Sequence, residues 1–291
     1  MAASRNATTN VLAVITLAGV ATVMTTGPAG AGPGSAAPAA HGGASGERPT
    51  TSAGSDCDLP LGDADADEAD GALVVLVDGT VSSADQERRV DDLVRTLDAT
   101  TTDRELTVSV GSFGGSDAEV RFSPCLDGAV FVPDGNNART RERNRPDLVE
   151  GLAETLTTLA AGYESSDPTS AIRAGIDRLG PADADQPRVL LIHTDGIPTT
   201  GCAALPEEVN VDEPGLVDRL LEACTSAGQL PSADGIDVVI GGIGRTDTDL
   251  SADAVTFLIE LNTALCSATG ATCSVDPNLP PDIWPDSVDD D

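Results

Sequence analysis

The hydrophobic positions between residues 71 and 270 change repeatedly from short continuous runs to helical spacing. Three apolar runs, at residues 72–77, 188–193 and 236–243, are typical of strands covered on both faces of a sheet. Residues 105–111 alternate like a further strand, and residues 119–122 are predicted to pair beside it after the Gly114-Gly115 turn. Five segments with helical spacing are predicted as helices: 84–98, 146–161, 169–179, 214–227 and 252–269.

This alternation predicts the fold class. It is a three-layer, doubly wound α/β domain whose mostly parallel sheet carries helices on both faces. In folds of this kind, ligands gather at the carboxyl ends of the strands. Asp78 follows the first apolar run, and Asp195 follows the run that ends at His193. The sequence therefore predicts that these two carboxylates meet at one edge of the sheet.

The segments outside residues 71–270 differ in composition. Residues 1–30 hold Arg5, an apolar run and then small residues, a pattern typical of a secretory signal peptide, with an uncleaved N-terminal anchor as the alternative. Residues 31–70 are predicted to be a flexible Gly/Ala/Pro linker with an acidic end, and residues 271–291 an acidic, disordered tail. We therefore expect a secreted or cell-envelope protein with no membrane span after signal cleavage.

The charge of the chain limits its partners. The formal net charge is -32 and all 16 basic residues are arginines, which argues against nucleic acid and anionic membrane surfaces. Apolar residues make up 40% of the chain but aromatic residues only 2%, so the core must consist of Val, Leu, Ile and Ala. The acidity itself is interpreted as a means of solubility.

The cysteines predict disulfides. None stands in a Cys-x-x-Cys pair, and neither histidine lies at ligand spacing from a cysteine, which argues against a zinc site. An even number of cysteines in an exported protein indicates disulfide bonds. Proximity along the chain favours the pairs Cys57–Cys125, Cys202–Cys224 and Cys266–Cys273.

Oxygen-bearing side chains follow the predicted elements in a recognisable order. Asp78, Thr80 and Ser82 stand at alternate positions after the first strand, which lifts one carboxylate and two hydroxyls onto one small patch. Ser166 precedes the predicted helix 169–179, with Thr169 as the alternative hydroxyl. Hard divalent cations such as Mg²⁺ prefer oxygen ligands of this kind.

In these motifs the chain resembles the von Willebrand factor A (VWA) domain family over residues 71–270. The metal-ion-dependent adhesion site (MIDAS) of that family consists of Asp-x-Ser-x-Ser, a distant threonine and a distant aspartate. Asp78, Thr80 and Ser82 match the first motif, and Asp195 with the following glycine matches the last aspartate. The middle motif, Thr-Asp-x-x-x-Ala-Leu, is matched from Ser166 onward with serine in place of threonine.

The resemblance implies a metal site that holds Mg²⁺, or Mn²⁺ or Ca²⁺ in its place, formed by Asp78, Thr80, Ser82, Ser166 and Asp195. A carboxylate from a protein or cell-surface ligand would complete the coordination, so ligand binding would depend on the cation. The sequence contains no hydrolase or transferase motif, so we expect a binding protein and not an enzyme. The alternatives are a metal-dependent hydrolase or accessory enzyme using the same carboxylates, and a structural domain with a degenerate site.

Two weaker features complete the analysis. His193 ends a buried strand and is predicted to be a core histidine with satisfied hydrogen bonds. The only basic cluster of the sequence is predicted to lie in a loop and comprises Arg139, Arg141, Arg143 and Arg145. We expect this cluster to pair with the protein's own acidic surface; a contact patch for an acidic partner is the alternative.

Overall fold

The structure, a computed structural model, describes residues 14–16, 59–80, 86–159, 162–180, 186–206 and 208–285. Its strands are β1 (Val14–Thr16), β2 (Gly71–Asp78), β3 (Leu106–Phe113), β4 (Arg121–Val130), β5 (Arg188–His193), β6 (Glu208–Asn210), β7 (Asp237–Gly241) and β8 (Thr272–Asp276). Its α-helices are α1 (Gln86–Thr101), α2 (Ala138–Leu159), α3 (Pro168–Leu179), α4 (Leu216–Ser226) and α5 (Ala252–Ser267). Short 3-10 helices span Ala66–Glu68 and Asp117–Glu119.

A six-stranded sheet in the order β4-β3-β2-β5-β7-β8 forms the centre of the domain. Neighbouring strands are parallel except for β3 and β4, which are antiparallel. His193 pairs with Val77 on one side and with Gly241 on the other, so β2, β5 and β7 end at the same edge. Asp78 lies one residue beyond Val77 at that edge, as the alternation of strands and helices predicts.

Helices cover both faces of the sheet because the interiors of its central strands are continuous runs of buried apolar residues. One face, with Val74, Leu76, Leu190 and Ile192, packs against α3, α4 and α5. The other face packs against α1 and α2 through the alternate residues of the same strands, among them Leu73, Val75, Val77, Val189 and Leu191. The predicted fold class, a three-layer α/β domain with a mostly parallel sheet, is confirmed.

The N-terminal predictions fall mainly outside the described residues. Within the predicted signal peptide, only β1 is described, and it pairs antiparallel with β6 in a separate two-stranded sheet. Residues 17–58 lie outside the described part of the chain. From residue 59 the predicted linker is corrected, because Leu59 and Leu61 pack against the core and Leu61 forms a bridge with Pro133. Among the described residues, no helix is long and apolar enough to cross a membrane.

The predicted loop around the basic cluster is wrong, because α2 begins at Ala138 and runs through Pro146. The missed signal is Asn137, whose side chain accepts a hydrogen bond of 3.0 Å from the N–H of Thr140, as an N-capping residue does. Arg141 pairs with Glu105 and Arg145 with Asp98, each at 2.7 Å. These two arginines therefore pair with the protein's own acidic surface, as expected.

The predicted disordered tail is also corrected as far as residue 285. β8 completes the sheet, and Ile283 is buried beside α1, where its N–H donates to Thr100 Oγ1. The sequence hides β8 because this edge strand alternates exposed and half-buried residues and lacks an apolar run. The domain therefore extends beyond the predicted boundary at residue 270.

Two of the predicted disulfides, Cys202–Cys224 and Cys266–Cys273, are confirmed. The first joins the segment after β5 to α4, and the second joins α5 to β8. Cys125 is also disulfide-bonded, while Cys57 lies outside the described residues.

Candidate functional site

The carboxylate of Asp78 is fully buried at the end of β2, and each of its oxygens accepts two hydrogen bonds. Oδ1 accepts from the N–H of Thr80 at 3.0 Å and from its hydroxyl at 2.8 Å. Oδ2 accepts from the hydroxyls of Ser166 at 2.9 Å and Thr194 at 2.7 Å. Three hydroxyls from three separate loops therefore converge on one carboxylate, whose exposed fraction is 0%.

The loop that follows Asp195 holds Ser166 in place. The N–H of Ser166 donates to Thr199 Oγ1 at 2.8 Å, and the N–H groups of Thr199 and Thr200 donate to the Ser166 carbonyl at 3.0 and 3.2 Å. Next to it, the N–H of Asp167 donates to the Gly114 carbonyl at 3.0 Å. These bonds tie the loop before α3 to the loops after β5 and β3.

Asp195 is buried at the end of β5 and ordered by main-chain bonds. Its Oδ1 accepts from the N–H of Ile197 at 2.9 Å, and its carbonyl accepts from the N–H of Gly244 at 2.8 Å. Gly196 has a φ of +79°, and a Cβ there would lie 2.6 Å from the side chain of Ile243. Only glycine fits this turn without strain, which explains the Asp-Gly pair in the sequence.

The sequence leaves open whether Ser166 or Thr169 supplies the hydroxyl, and the two have different partners in the structure. Ser166 reaches Asp78, whereas the Thr169 hydroxyl donates to Asp167 Oδ1 at 2.5 Å. Thr194, which the sequence analysis did not select, also reaches Asp78. The sequence gives only a weak signal for Thr194, because a threonine directly before an aspartate at the end of a strand is common and forms no distinctive motif. Ser82 lies outside the described residues.

Arg89 is a second feature of the site that sequence reasoning missed. It stands on α1, is only 6% exposed, and its Nη1 donates to the main-chain carbonyl of Asp78. Burial lowers the pKa of its guanidinium, while the negative charges of Asp78 and Asp195 act to raise that pKa. The guanidinium thus contacts the main chain of Asp78 and lines the same cavity as Asp195.

Beside these residues lies a cavity of about 310 Å³ between α1 and the ends of β5 and β7. Arg245, which lines it, pairs with Asp92 at 2.5 Å and donates to Asn278 at 2.7 Å. His193 also lines the cavity and is buried, and burial lowers its pKa to about 3, so the ring is neutral at pH 7. Among the described residues, neither ring nitrogen has a hydrogen-bond partner, which corrects the prediction of a satisfied histidine.

The donor set fits the hard cation that the family resemblance implies. All candidate ligands are oxygens: the carboxylates of Asp78 and Asp195 and the hydroxyls of Thr80, Ser166 and Thr194. A hydroxyl that gives its proton to a carboxylate still carries oxygen lone pairs, which such a cation takes as ligands. In the part of the chain that the structure describes, no three His, Cys, Asp or Glu side chains form a metal-binding group, so hydroxyls would have to complete the site.

Comparisons with known proteins give structural likeness only. No family model matches the sequence, and no curated protein matches it significantly. Similar solved structures include an aerotolerance-related membrane protein from Bacteroides fragilis, with a TM-score of 0.39 and 12% identity over 72% of this chain and 92% of that chain. They also include manganese-loaded TRAP from Plasmodium vivax (TM-score 0.36, 14% identity, 71% and 68% coverage) and the SpRpn10 VWA domain (0.36, 10%, 72% and 88%).

At TM-scores this low, the likenesses carry no argument about function. The assignment of the fold rests instead on strand order, register and the convergence of the strand ends. On those grounds, the chain contains a three-layer α/β domain with a mostly parallel sheet, the fold that the VWA resemblance of its motifs implies.

Proposed function

We propose that the protein is exported and binds a protein or cell-surface ligand through a divalent cation held at the Asp78 edge of the sheet. One observation carries the proposal: three hydroxyls, from Thr80, Ser166 and Thr194, point their protons at a single buried carboxylate. A turn at the end of a strand can form with a single hydrogen bond from a nearby residue to the aspartate. A carboxylate that orients three hydroxyl oxygens builds an oxygen-rich site for a hard cation.

Each residue of the proposed site would have a distinct role. Thr80, Ser82 and Ser166 would offer hydroxyl oxygens, Asp78 would supply charge and orient the hydroxyls of Thr80 and Ser166, and Asp195 would add the second carboxylate. Mg²⁺ keeps several waters when protein ligands are few, so one position remains for a carboxylate from the ligand. The predicted export accords with the disulfides Cys202–Cys224 and Cys266–Cys273, which persist in oxidising compartments.

Calorimetric titration with Mg²⁺ and Mn²⁺ tests the cation site. We expect saturable binding by the wild type and none by Asp78→Ala, because the mutation removes the acceptor that orients all three hydroxyls. Asp167→Ala is the matched control: it removes a buried aspartate from a neighbouring loop, and cation binding should persist. Equal binding by the wild type and Asp78→Ala would reject the site.

The ligand-binding role is tested by affinity capture from the native cell envelope and medium, with and without EDTA. Capture should be lost in EDTA, return with Mg²⁺, and be absent for immobilised Asp78→Ala. Turnover of phosphoester or peptide substrates that disappears in Asp78→Ala would favour the hydrolase instead.

One observation favours a second candidate, a structural domain whose site needs no metal. Arg89 already brings a positive charge to the Asp78 carbonyl and lines the same cavity as Asp195. This candidate predicts that Mg²⁺ does not shift the melting temperature of the wild type.

A further inference from the structure

Arg89 is one of two buried arginines among the described residues, at 6% exposed beside Arg188 at 7%. Arg104, Arg141, Arg145 and Arg219 pair with acidic side chains at the surface, where each partner is more than two-fifths exposed. Arg89 is instead 6% exposed at the edge of the sheet where β2 and β5 end. Burying a guanidinium is costly unless hydrogen-bond acceptors or negative charge lie beside it. Arg188, at the start of β5, donates to the Gly180 carbonyl, whereas Arg89 lies at the opposite end of the strands, where Asp78 and Asp195 stand.

The negative charge near Arg89 is that of the two site carboxylates. Nη1 of Arg89 donates to the carbonyl of Asp78 itself, which fixes the guanidinium next to the residue that orients the hydroxyls. Asp195 acts on the same charge, and both Arg89 and Asp195 line the cavity beside β5. The formal charges of Asp78, Asp195 and Arg89 together leave the site with one net negative charge instead of two.

We propose that Arg89 is the resident cation of this site: it compensates Asp78 and Asp195 in the metal-free protein and lowers the affinity of the site for a divalent cation. The inference rests on the proposed function, since it concerns the same carboxylates. A divalent ion entering the site meets the fixed positive charge that Arg89 holds at the Asp78 carbonyl, and bulk salt screens a buried charge much less than an exposed one.

Two consequences follow for the protein. It folds without a metal, because its buried carboxylates already face a positive charge. Cation binding is weak and reversible, so ligand capture responds to the cation concentration around the protein instead of being permanently switched on.

The test is calorimetric titration of Mn²⁺ and Mg²⁺ into the wild type and Arg89→Met, which keeps the apolar stem and removes the charge. We expect the variant to bind at least about tenfold more tightly, since loss of one nearby charge in a partly buried site exceeds the free energy of one decade of affinity. Arg95→Met is the matched control. It removes an arginine from the surface of the same helix, where it pairs with Asp92, and should change affinity less than about twofold.

Thermal unfolding gives a second readout. In EDTA, Arg89→Met should melt below the wild type, and Mg²⁺ should raise its melting temperature more than it raises that of the wild type. If Arg89→Met does not fold without metal, Arg89→Gln replaces it, because glutamine keeps an N–H donor for the Asp78 carbonyl and lacks the charge.

The outcomes are distinguishable. Equal cation affinity in the wild type and the Arg89 variants overturns the role of Arg89 but leaves the proposed cation site intact. No binding by any of them overturns both proposals. Binding by the Arg89 variants alone supports the resident cation but overturns the proposed function, which requires the wild type to bind the metal.

Discussion

Asp78 and Asp167 share the same local chemistry and have different surroundings. Two residues after each lies a threonine whose N–H and hydroxyl both donate to Oδ1 of the aspartate. The distances are 3.0 and 2.8 Å for Thr80, and 3.0 and 2.5 Å for Thr169. Both aspartates are buried, with exposed fractions of 0% and 4%.

The two carboxylates differ at the second oxygen. Oδ2 of Asp78 accepts from Ser166 and Thr194, which are 88 and 116 residues away in the chain. Oδ2 of Asp167 accepts from Ser170, only three residues away. A Cβ at Gly201 would lie 2.5 Å from the Asp167 carboxyl carbon, so the loop after β5 closes over this carboxylate.

The comparison shows that an Asp-x-Thr motif does not by itself make a site. The Asp167 carboxylate accepts hydrogen bonds from Thr169 and Ser170, its neighbours along the chain, and Asp167 is the N-cap of α3. Asp78 gathers hydroxyls from other loops and a guanidinium from α1. Long-range partners, and not the local motif, separate a helix cap from a candidate metal site.

The largest expected difference lies in stability without metal. Asp78→Asn should lower the free energy of unfolding by about 3–5 kcal/mol, because it leaves buried donors and the Arg89 guanidinium partly uncompensated. Asp167→Asn should cost about 1 kcal/mol, since asparagine still caps a helix. Urea unfolding in EDTA, with disulfides intact, measures both. Equal losses of stability in the two variants would contradict the difference inferred between Asp78 and Asp167.

A smaller effect is expected on cation affinity when one hydroxyl is removed. Ser166→Ala should weaken Mg²⁺ binding about tenfold, as loss of a group around a metal site does. Thr169→Ala should change the Mg²⁺ affinity by less than about twofold, because the Thr169 hydroxyl donates to Asp167 and not to Asp78. Calorimetric titration of the two variants measures the difference. A larger loss in Thr169→Ala would mean that the loop rearranges when the cation binds.

The smallest effect concerns the surface end of the Asp167 network. The Ser170 hydroxyl accepts a hydrogen bond from Arg173, which also pairs with Asp117. The hydrogen bond from Arg173 to Asp117 holds the pKa of Asp117 below its usual range. A lowered pKa in the folded state gives stability above the ordinary aspartate pKa of about 4, and that stability is lost as the pH falls through the folded value. The Asp117 side chain is 63% exposed, so solvent screening keeps the contribution small.

Urea unfolding of the wild type and Asp117→Asn between pH 7 and pH 3 checks this expectation. The difference between the two proteins should be present at neutral pH and shrink on acidification, while Mg²⁺ affinity at pH 7 stays the same. A difference that does not change with pH would contradict the ion pair.

Much of the fold could be predicted because the interiors of the central strands are continuous apolar runs. β5 matches its predicted range, and β2 extends its prediction by one residue at each end. The errors fall where local signals compete. Pro146 resembles a helix start but lies inside α2, and the mixed residues of β8 resemble a polar tail until they are placed beside β7.

The sequence by itself determined that Asp78 and Asp195 meet at one edge of the sheet, because parallel strands joined by helices end together. It also determined that the chemistry there is built from oxygens. The packing of the folded chain makes Ser166 and not Thr169 the partner of Asp78, adds Thr194, and brings Arg89 to the Asp78 carbonyl. These choices depend on how distant loops and α1 pack against the strand ends, and differences of about one ångström decide which hydrogen bond forms.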